Sequence, residues 1–473
     1  MSFNSPSFFV FFVVVYGIYV LLGHAWQNRM LLAASLVFYG LWNWKFLGLL
    51  LFSITFDWRV TLALDRWENP AARKRLLIAS LATNLGILCF FKYYNFFVDN
   101  LDSLLSHAGM DVGWLRLSLV LPVGISFYTF HMVSYVVDVY QRRLKACPSY
   151  VDYALFVTFF PQLVAGPIAR AHSLLPQVQR PRRIDPDQIA NGLFWIAWGL
   201  VKKIVIADGC AHVVNIVFGN DAEHAGADKL VAIYAFAIQI YGDFSGYSDM
   251  ARGLAKLMGF DLLLNFDLPY IAESPSDFWR RWHISLSSWL RDYLYIPLGG
   301  NRASQPRVYF NLFVTMLLGG IWHGASWTMV TWGAYHGVLL AAYRFLGVRD
   351  TTDSPLRARW PKVLLMSQLT CLGWLLFRAN GIAQVGRFLA GIATDFHAGP
   401  ETLSYVTLVL PLAGALGIVE ALQYKAGTLD LFDRWTATAR AAFGVFVVWL
   451  VVGHFVFHQV LMHGSIPFIY FQF

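Results

Sequence analysis

The chain is poor in charge. Of its 473 residues only 14% are Asp, Glu, Lys or Arg, 57% are hydrophobic, and the mean hydropathy is +0.52. That scarcity excludes a soluble globule, in which about a quarter of the residues are charged. Cysteine is nearly absent as well: Cys89, Cys147, Cys210 and Cys371 are scattered, so neither a disulfide framework nor a thiolate metal site is expected. No G-x-S-x-G elbow occurs, and Gly242 to Gly246 has the wrong spacing for one, which argues against a serine nucleophile. The phosphate-cradling loop G-x-x-x-x-G-K-[ST] is missing, and with it a visible means of using ATP. No repeat, low-complexity tract or linker divides the sequence, so a single membrane domain over residues 1–473 is predicted.

What is present is a series of long apolar runs. They lie near 8–23, 30–43, 46–64, 76–96, 115–137, 190–207, 229–250, 308–347, 363–378, 403–423 and 441–463. This predicts an all-α polytopic membrane protein with about eleven or more transmembrane helices, some short or broken. The start, MSFNSPSFFVFF, lacks a basic leader and a cleavage site, and reads as a retained first span. Lys and Arg exceed Asp and Glu, 36 against 28, and their uneven placement sets an orientation. Loops with Arg73, Lys74 and Arg75, with Arg142, Arg143 and Lys145, and over 252–307 are expected inside, and the acidic loops near 98–112 and 221–228 outside. The N-terminus then falls outside. Basic residues on both sides of 152–168 make that run a candidate re-entrant segment, with Pro161, Gly166 and Pro167 as breakers.

The most informative stretch is Phe278 to Gly337. Its first part, FWRRWHISLSSWLRDYLYIPLGGNR, predicts an amphipathic helix with Phe278, Trp282, Leu286, Trp289, Leu290 and Tyr293 on one arc and His283 among them. In the second part Asn311, Thr315, Gly319 and His323 recur every fourth residue, one polar stripe down an otherwise apolar segment. Gly320 and Gly324, then Gly333 and Gly337, are small-xxx-small pairs that allow close backbone approach. His323 follows roughly fifteen apolar residues, a rise of about 20 Å, and is expected deep in the bilayer. An ionisable group there almost always faces an interior or a water-filled cavity. A neutral imidazole in that setting can accept a proton.

WRRWHISLSSWLRDYLYIPLGGNR followed by GGIWHG resembles the membrane-bound O-acyltransferase family, and in wording its bacterial exopolysaccharide branch, of which alginate O-acetyltransferases are typical. The resemblance also takes in FFKYYNFF at 90–97, LPVGISFYTF at 121–130, FPQLVAGPI at 160–168, YGDFSGYSDMARG at 241–253 and PFIYFQF at the end. Residues from about 348 to 440 carry little of it. The resemblance implies helices around a central tunnel, with re-entrant segments and cytoplasmic amphipathic helices. It implies chemistry on His323 and on His283, forty residues earlier. His323 would be general base or acyl relay, a role worth about a hundred- to ten-thousandfold in rate; His283 would orient the donor or share the proton.

The implied reaction takes acetyl from cytoplasmic acetyl-CoA, a substrate rather than a bound cofactor, across a bacterial inner membrane toward O-acetylation of a secreted polysaccharide. The implied partners are a periplasmic acetyltransferase or carrier and the lipid bilayer, with no nucleic acid. Asn311, Thr315, Trp322, Arg280, Arg281, Arg291 and Asn301 are candidates to hold the donor or line the passage, since guanidinium groups suit phosphates. The same arginines also serve ordinary topology signalling. Asp243, Ser245, Tyr247, Ser248 and Asp249 read as a satisfied polar network or a helix break rather than as reacting groups. No metal site is expected: His454 and His458 are an i,i+4 pair with His463 nearby, but no fourth ligand completes a set. His336 falls on another face if the helix runs unbroken from His323, and reads as structural. The alternative is a transporter or channel component for polysaccharide or lipid-linked sugar, with the histidines as pore lining.

Overall fold

The structure, a computed structural model, describes residues 2–163, 166–348, 356–431 and 435–456. Every regular element among the described residues is a helix. They fall into two compact units, one drawn from 1–189 and 254–263, the other from 190–253 and 264–473.

The first unit contains α1 (Pro6–Leu21), α2 (His24–Asn43), α3 (Lys45–Arg66), α4 (Pro70–Ser106), α5 (Ile125–Tyr140), α6 (Tyr150–Thr158), the single turn α7 (Phe160–Leu163) and α8 (Ala171–Gln179). Local chemistry sets their starts. Ser5 accepts from the Phe8 N–H with Pro6 in the first turn, and Asn69 accepts from Ala71 and Ala72 with Pro70 behind it. Arg73 closes two helices at once. Its buried guanidinium donates to the carbonyls of Leu64 and Trp67 at the end of α3, and to those of Val139 and Tyr140 at the end of α5. A single cation therefore meets the partial negative charge of two C-termini.

The run 152–168 is broken, but before Pro161 rather than at it. α6 stops at Thr158 because the Phe160 N–H donates to Ser35 Oγ of α2, 3.1 Å away, instead of to a carbonyl of its own helix. Nine residues of α6 rise about 14 Å, less than half a bilayer core. The run 115–137 is also shorter as a helix than as a hydropathy signal. Pro122 and Gly124, whose φ is 71°, hold the chain out of helix until Ile125.

The second unit holds α9 (Pro186–Leu200), which passes through a π-helical turn at Val201–Ala207 into α10 (Asp208–Gly219), then α11 (Gly226–Leu257), α12 (Pro275–Arg281), α13 (Ile284–Leu290), α14 (Gln305–His323), α15 (Trp327–Phe345), α16 (Leu356–Arg378), α17 (Ile382–Thr394), α18 (Thr402–Ala426) and α19 (Ala437–Val456). Lys45–Arg66, Pro70–Ser106, Pro186–Gly219 and Thr402–Ala426 are long and apolar enough to cross a membrane. Pro6–Leu21, Ile382–Thr394 and Thr438–Val447 are apolar but shorter.

The polar residues of α11 leave that helix unbroken and form a buried network. Lys203 Nζ lies 2.7 Å from both Asp208 and Asp243, and Lys202 pairs with Asp249. The π turn presents two successive lysines to carboxylates, and a buried charge needs such a partner.

The predicted amphipathic helix over 278–293 is not continuous. It is α12, a break at Trp282 and His283, α13, and a π turn over Arg291–Tyr295. His283 is left-handed, with φ 42° and ψ 53°. A distant segment causes the break: the Asp267 N–H takes the carbonyl of Arg281 at 3.0 Å, and the Ile284 N–H donates to the carbonyl of Asn265 at 2.9 Å. Periodicity registers which residues are apolar, and the apolar arc survives the interruption; hydrogen bonds from a remote segment leave no trace in it.

The expected stripe on α14 is real. Asn311, Thr315, Gly319 and His323 are all buried on one face. The run 308–347 folds as two helices rather than one passage, with Ser326 capping α15 at the Met329 N–H. Of the two glycine pairs, Gly320, Gly333 and Gly337 form the crossing: a Cβ at Gly320 would lie 2.7 Å from the Cα of Gly333, and one at Gly333 would lie 2.6 Å from the carbonyl oxygen of Met316. Gly324 instead ends α14. PFIYFQF, His458 and His463 lie outside the described residues, as does the side chain of His454.

The crossing yields a test. Gly320→Ala should cost about 1–3 kcal/mol by forcing α14 and α15 apart, whereas Gly17→Ala, with open space around its Cβ, should leave the thermal midpoint in detergent unchanged or slightly higher. Equal midpoints for the two variants would contradict the contact.

Candidate active site

His323 is the last residue of α14, and Gly324 frees the chain to turn immediately after it. Only 7% of His323 is exposed. Its imidazole is boxed by rings, with centroids at 4.9 Å to Trp322, 5.0 Å to Trp332 and 5.3 Å to Phe377, each near perpendicular. Trp322 lies between the two predicted histidines, its centroid 6.4 Å from that of His283. The forty-residue spacing thus corresponds to one indole in space.

His283 is fully buried and packs edge-to-face on Phe244 of α11 at 4.6 Å. Its Nδ1 lies 3.4 Å from Asn265 Oδ1. That oxygen also accepts from Ser285 Oγ at 2.6 Å, while Asn265 Nδ2 donates to Ser248 Oγ at 3.0 Å. An amide oxygen can only accept, so the imidazole proton belongs on Nδ1. Nε2 then keeps its lone pair, and it has no hydrogen-bond partner among the described residues. Burial pushes the imidazole down to about 3, so it is neutral at pH 7. The left-handed backbone costs on the order of 1–3 kcal/mol at a non-glycine residue. A strained, neutral imidazole with a bare nitrogen fits a site better than a packing role.

A cavity of about 720 Å³ opens in the same unit. Of the predicted lining residues, Arg280, Arg291, Asn301 and Thr315 border it. Arg281 does not: it donates to Asp277 Oδ1 at 2.9 Å and to the carbonyl of Asp267, holding α12 to the segment that breaks it. Asn311 is buried beside Gly299 and Gly300, to whose carbonyl its amide points at 3.5 Å. The lining includes Ile284, next in the chain to His283, but neither histidine and not Trp322. Arg344 is a third guanidinium on this cavity and donates to Asn301 Oδ1 at 3.1 Å.

A family model for the MBOAT, membrane-bound O-acyltransferase, family matches residues 41–349. The chain belongs to the membrane-bound O-acyltransferase family. It is an acyltransferase and a multi-pass membrane protein. It is 43% identical over 384 residues to the probable alginate O-acetylase AlgI of Pseudomonas aeruginosa, covering 81% of this chain and 73% of that protein. It is 36% identical over 428 residues to the peptidoglycan O-acetyltransferase of Helicobacter pylori, covering 83% and 80%. It is 28% identical over 280 residues to the teichoic acid D-alanyltransferase of Bacillus subtilis, covering 55% and 69%. The acyltransferase match contains both histidines and ends before α16, in keeping with the generic apolar character of the chain beyond 348.

Asn265, Trp332 and Arg344 are not singled out by the sequence, and His336 is read there as structural. Asn265 carries no local signal, since its role is to bond a segment eighteen residues on. His336 was set on another face on the condition of an unbroken helix. The turn at 324–326 removes that condition, and Trp332, one turn before His336 on α15, links the rings of His323 and His336.

The buried His283 also makes stability depend on pH. Its folded value lies below the ordinary 6.5, so between about 3 and 6.5 the unfolded chain binds more protons. The stability it confers is complete above pH 6.5 and declines as the pH falls below it. Unfolding midpoints measured from pH 7.5 to 5.0 should drop more steeply for the wild type than for His283→Gln; parallel curves would show that His283 titrates normally.

Proposed function

We propose that this acyltransferase is an O-acetyltransferase of a bacterial inner membrane. It takes acetyl from cytoplasmic acetyl-CoA and passes it outward for O-acetylation of a secreted polysaccharide. The observation that carries the reading is the enclosure of His323 by aromatic rings at the end of a polar stripe, with neutral His283 one indole away. The names of its relatives, an alginate O-acetylase and a peptidoglycan O-acetyltransferase, favour a carbohydrate hydroxyl as acceptor and acetyl as cargo.

In this reading His323 takes the proton of the acceptor hydroxyl as its oxygen attacks the thioester, and returns it to the leaving thiolate. His283 orients the reactants. Arg280, Arg291 and Arg344 at the cavity suit the phosphates of coenzyme A, because guanidinium pairs with phosphate in a planar fork. In this reading the loop over 252–307 lies on the cytoplasmic side, about eleven or more spans cross the bilayer, and 152–168 is re-entrant. Its partner outside is a periplasmic acetyltransferase or carrier of the same secretion machinery.

His323→Ala should reduce acetyl-CoA consumption by purified protein with acceptor at least a hundredfold, with normal protein yield, and should abolish acetyl esters on the secreted polymer. Arg291→Gln combined with Arg344→Gln should raise the KM for acetyl-CoA several-fold at low salt and less at high salt. Wild-type consumption by His323→Ala would end the reading, and proteoliposomes that move glycan without any acyl donor would replace it with a transporter.

A further inference from the structure

Three rings, joined to His323 through Trp332, share one property. Trp279 of α12, Trp332 and His336 of α15 touch one another pairwise, with centroids 5.7 Å apart for Trp279 and Trp332, 5.1 Å for Trp279 and His336, and 4.8 Å for Trp332 and His336. Each has a buried ring nitrogen, Trp279 Nε1, Trp332 Nε1 and His336 Nδ1, without a hydrogen-bond partner among the described residues. Trp332 and His336 are each 1% exposed. An indole N–H only donates, and His336 Nδ1 donates when it carries the ring proton; a buried polar group left unpaired is costly, so three in mutual contact suit a ligand that would supply the missing partner. The group spans the distance that matters: Trp279 borders the cavity, and Trp332 sits 5.0 Å from His323. Gly373 leaves room for the third ring, since a Cβ there would lie 2.9 Å from His336 Nε2.

We propose that Trp279, Trp332 and His336 form the receptor for the acyl group, with the Trp332 indole N–H and the His336 Nδ1–H donating to the carbonyl oxygen of the thioester and more strongly to the oxyanion derived from it. The inference rests on the proposed reaction. As the acceptor oxygen bonds to the acyl carbon, the carbonyl π pair moves onto oxygen and the hydroxyl proton goes to His323. Collapse re-forms the carbonyl and breaks the carbon–sulfur bond, and the proton leaves with the thiolate as free thiol. Indole suits the role, because its N–H only donates and it neither titrates nor competes as a nucleophile. Donors held among buried rings stabilise the oxyanion more than the neutral carbonyl, so they act on kcat more than on KM. Three bulky rings packed together also limit the pocket to a short acyl chain.

The test is steady-state kinetics on the purified full-length protein, with acetyl-CoA as donor and a soluble glycan acceptor. Trp332→Phe keeps the ring and removes one N–H, and should lower kcat at least tenfold with the KM for acetyl-CoA changed less than threefold. His336→Asn returns an amide donor near the Nδ1 position and should retain more kcat than His336→Gln, whose amide reaches the Nε2 position. Trp279→Ala should widen the pocket and raise the rate with butyryl-CoA relative to acetyl-CoA. Wild-type kcat in Trp332→Phe, or His336→Gln outperforming His336→Asn, would overturn the proposal. Should Trp332→Phe fail to give a monodisperse protein, the order of the two His336 variants decides alone. His323→Ala separates the two claims: its inactivity beside a fully active Trp332→Phe sinks only the receptor, whereas an active His323→Ala sinks the reaction itself.

Discussion

The candidate site depends on the hydrogen bonds that Asn265 makes across the chain. Its carbonyl takes the Ile284 N–H, its Oδ1 takes the Ser285 hydroxyl and faces His283 Nδ1, and its Nδ2 reaches Ser248 on α11. The first of these bonds replaces the helical one that the Ile284 N–H would otherwise make, while the Trp282 N–H still donates to the carbonyl of Phe278. The backbone can then turn left-handed at His283 and bury the imidazole with a defined proton on Nδ1 and a bare Nε2. Without them the apolar arc over 278–293 would remain one amphipathic helix.

The second element of the arrangement is a close approach without side chains. Gly320, Gly333 and Gly337 let α14 and α15 cross nearly backbone to backbone. In an apolar surrounding, packing of this kind rather than hydrophobic burial drives helix association. Ending α14 at Gly324 and capping α15 at Ser326 brings Trp332 against His323, with His336 on the other side of Trp332. The polar stripe of α14 therefore meets the aromatic cluster where His323 packs on Trp332.

Buried charge elsewhere is handled by pairing. Lys202 and Lys203 meet Asp249, Asp208 and Asp243 through a π turn, and Arg73 meets four carbonyls at two helix ends. These groups are as buried as the histidines, yet their partners neutralise them.

Much of the outline was legible in the residues. The apolar runs announced a helical membrane protein, the fourfold recurrence of Asn311, Thr315, Gly319 and His323 marked one buried face, and the glycine pairs forecast a tight crossing. These features are local, set by side-chain period and by size, and they persist whatever the rest of the chain does. The break at His283, the turning of Arg281 toward Asp267, and the recruitment of Arg344 and His336 were decided only by tertiary structure. Each of them depends on a hydrogen bond or ring contact to a segment distant in the chain, and periodicity carries no record of such partners.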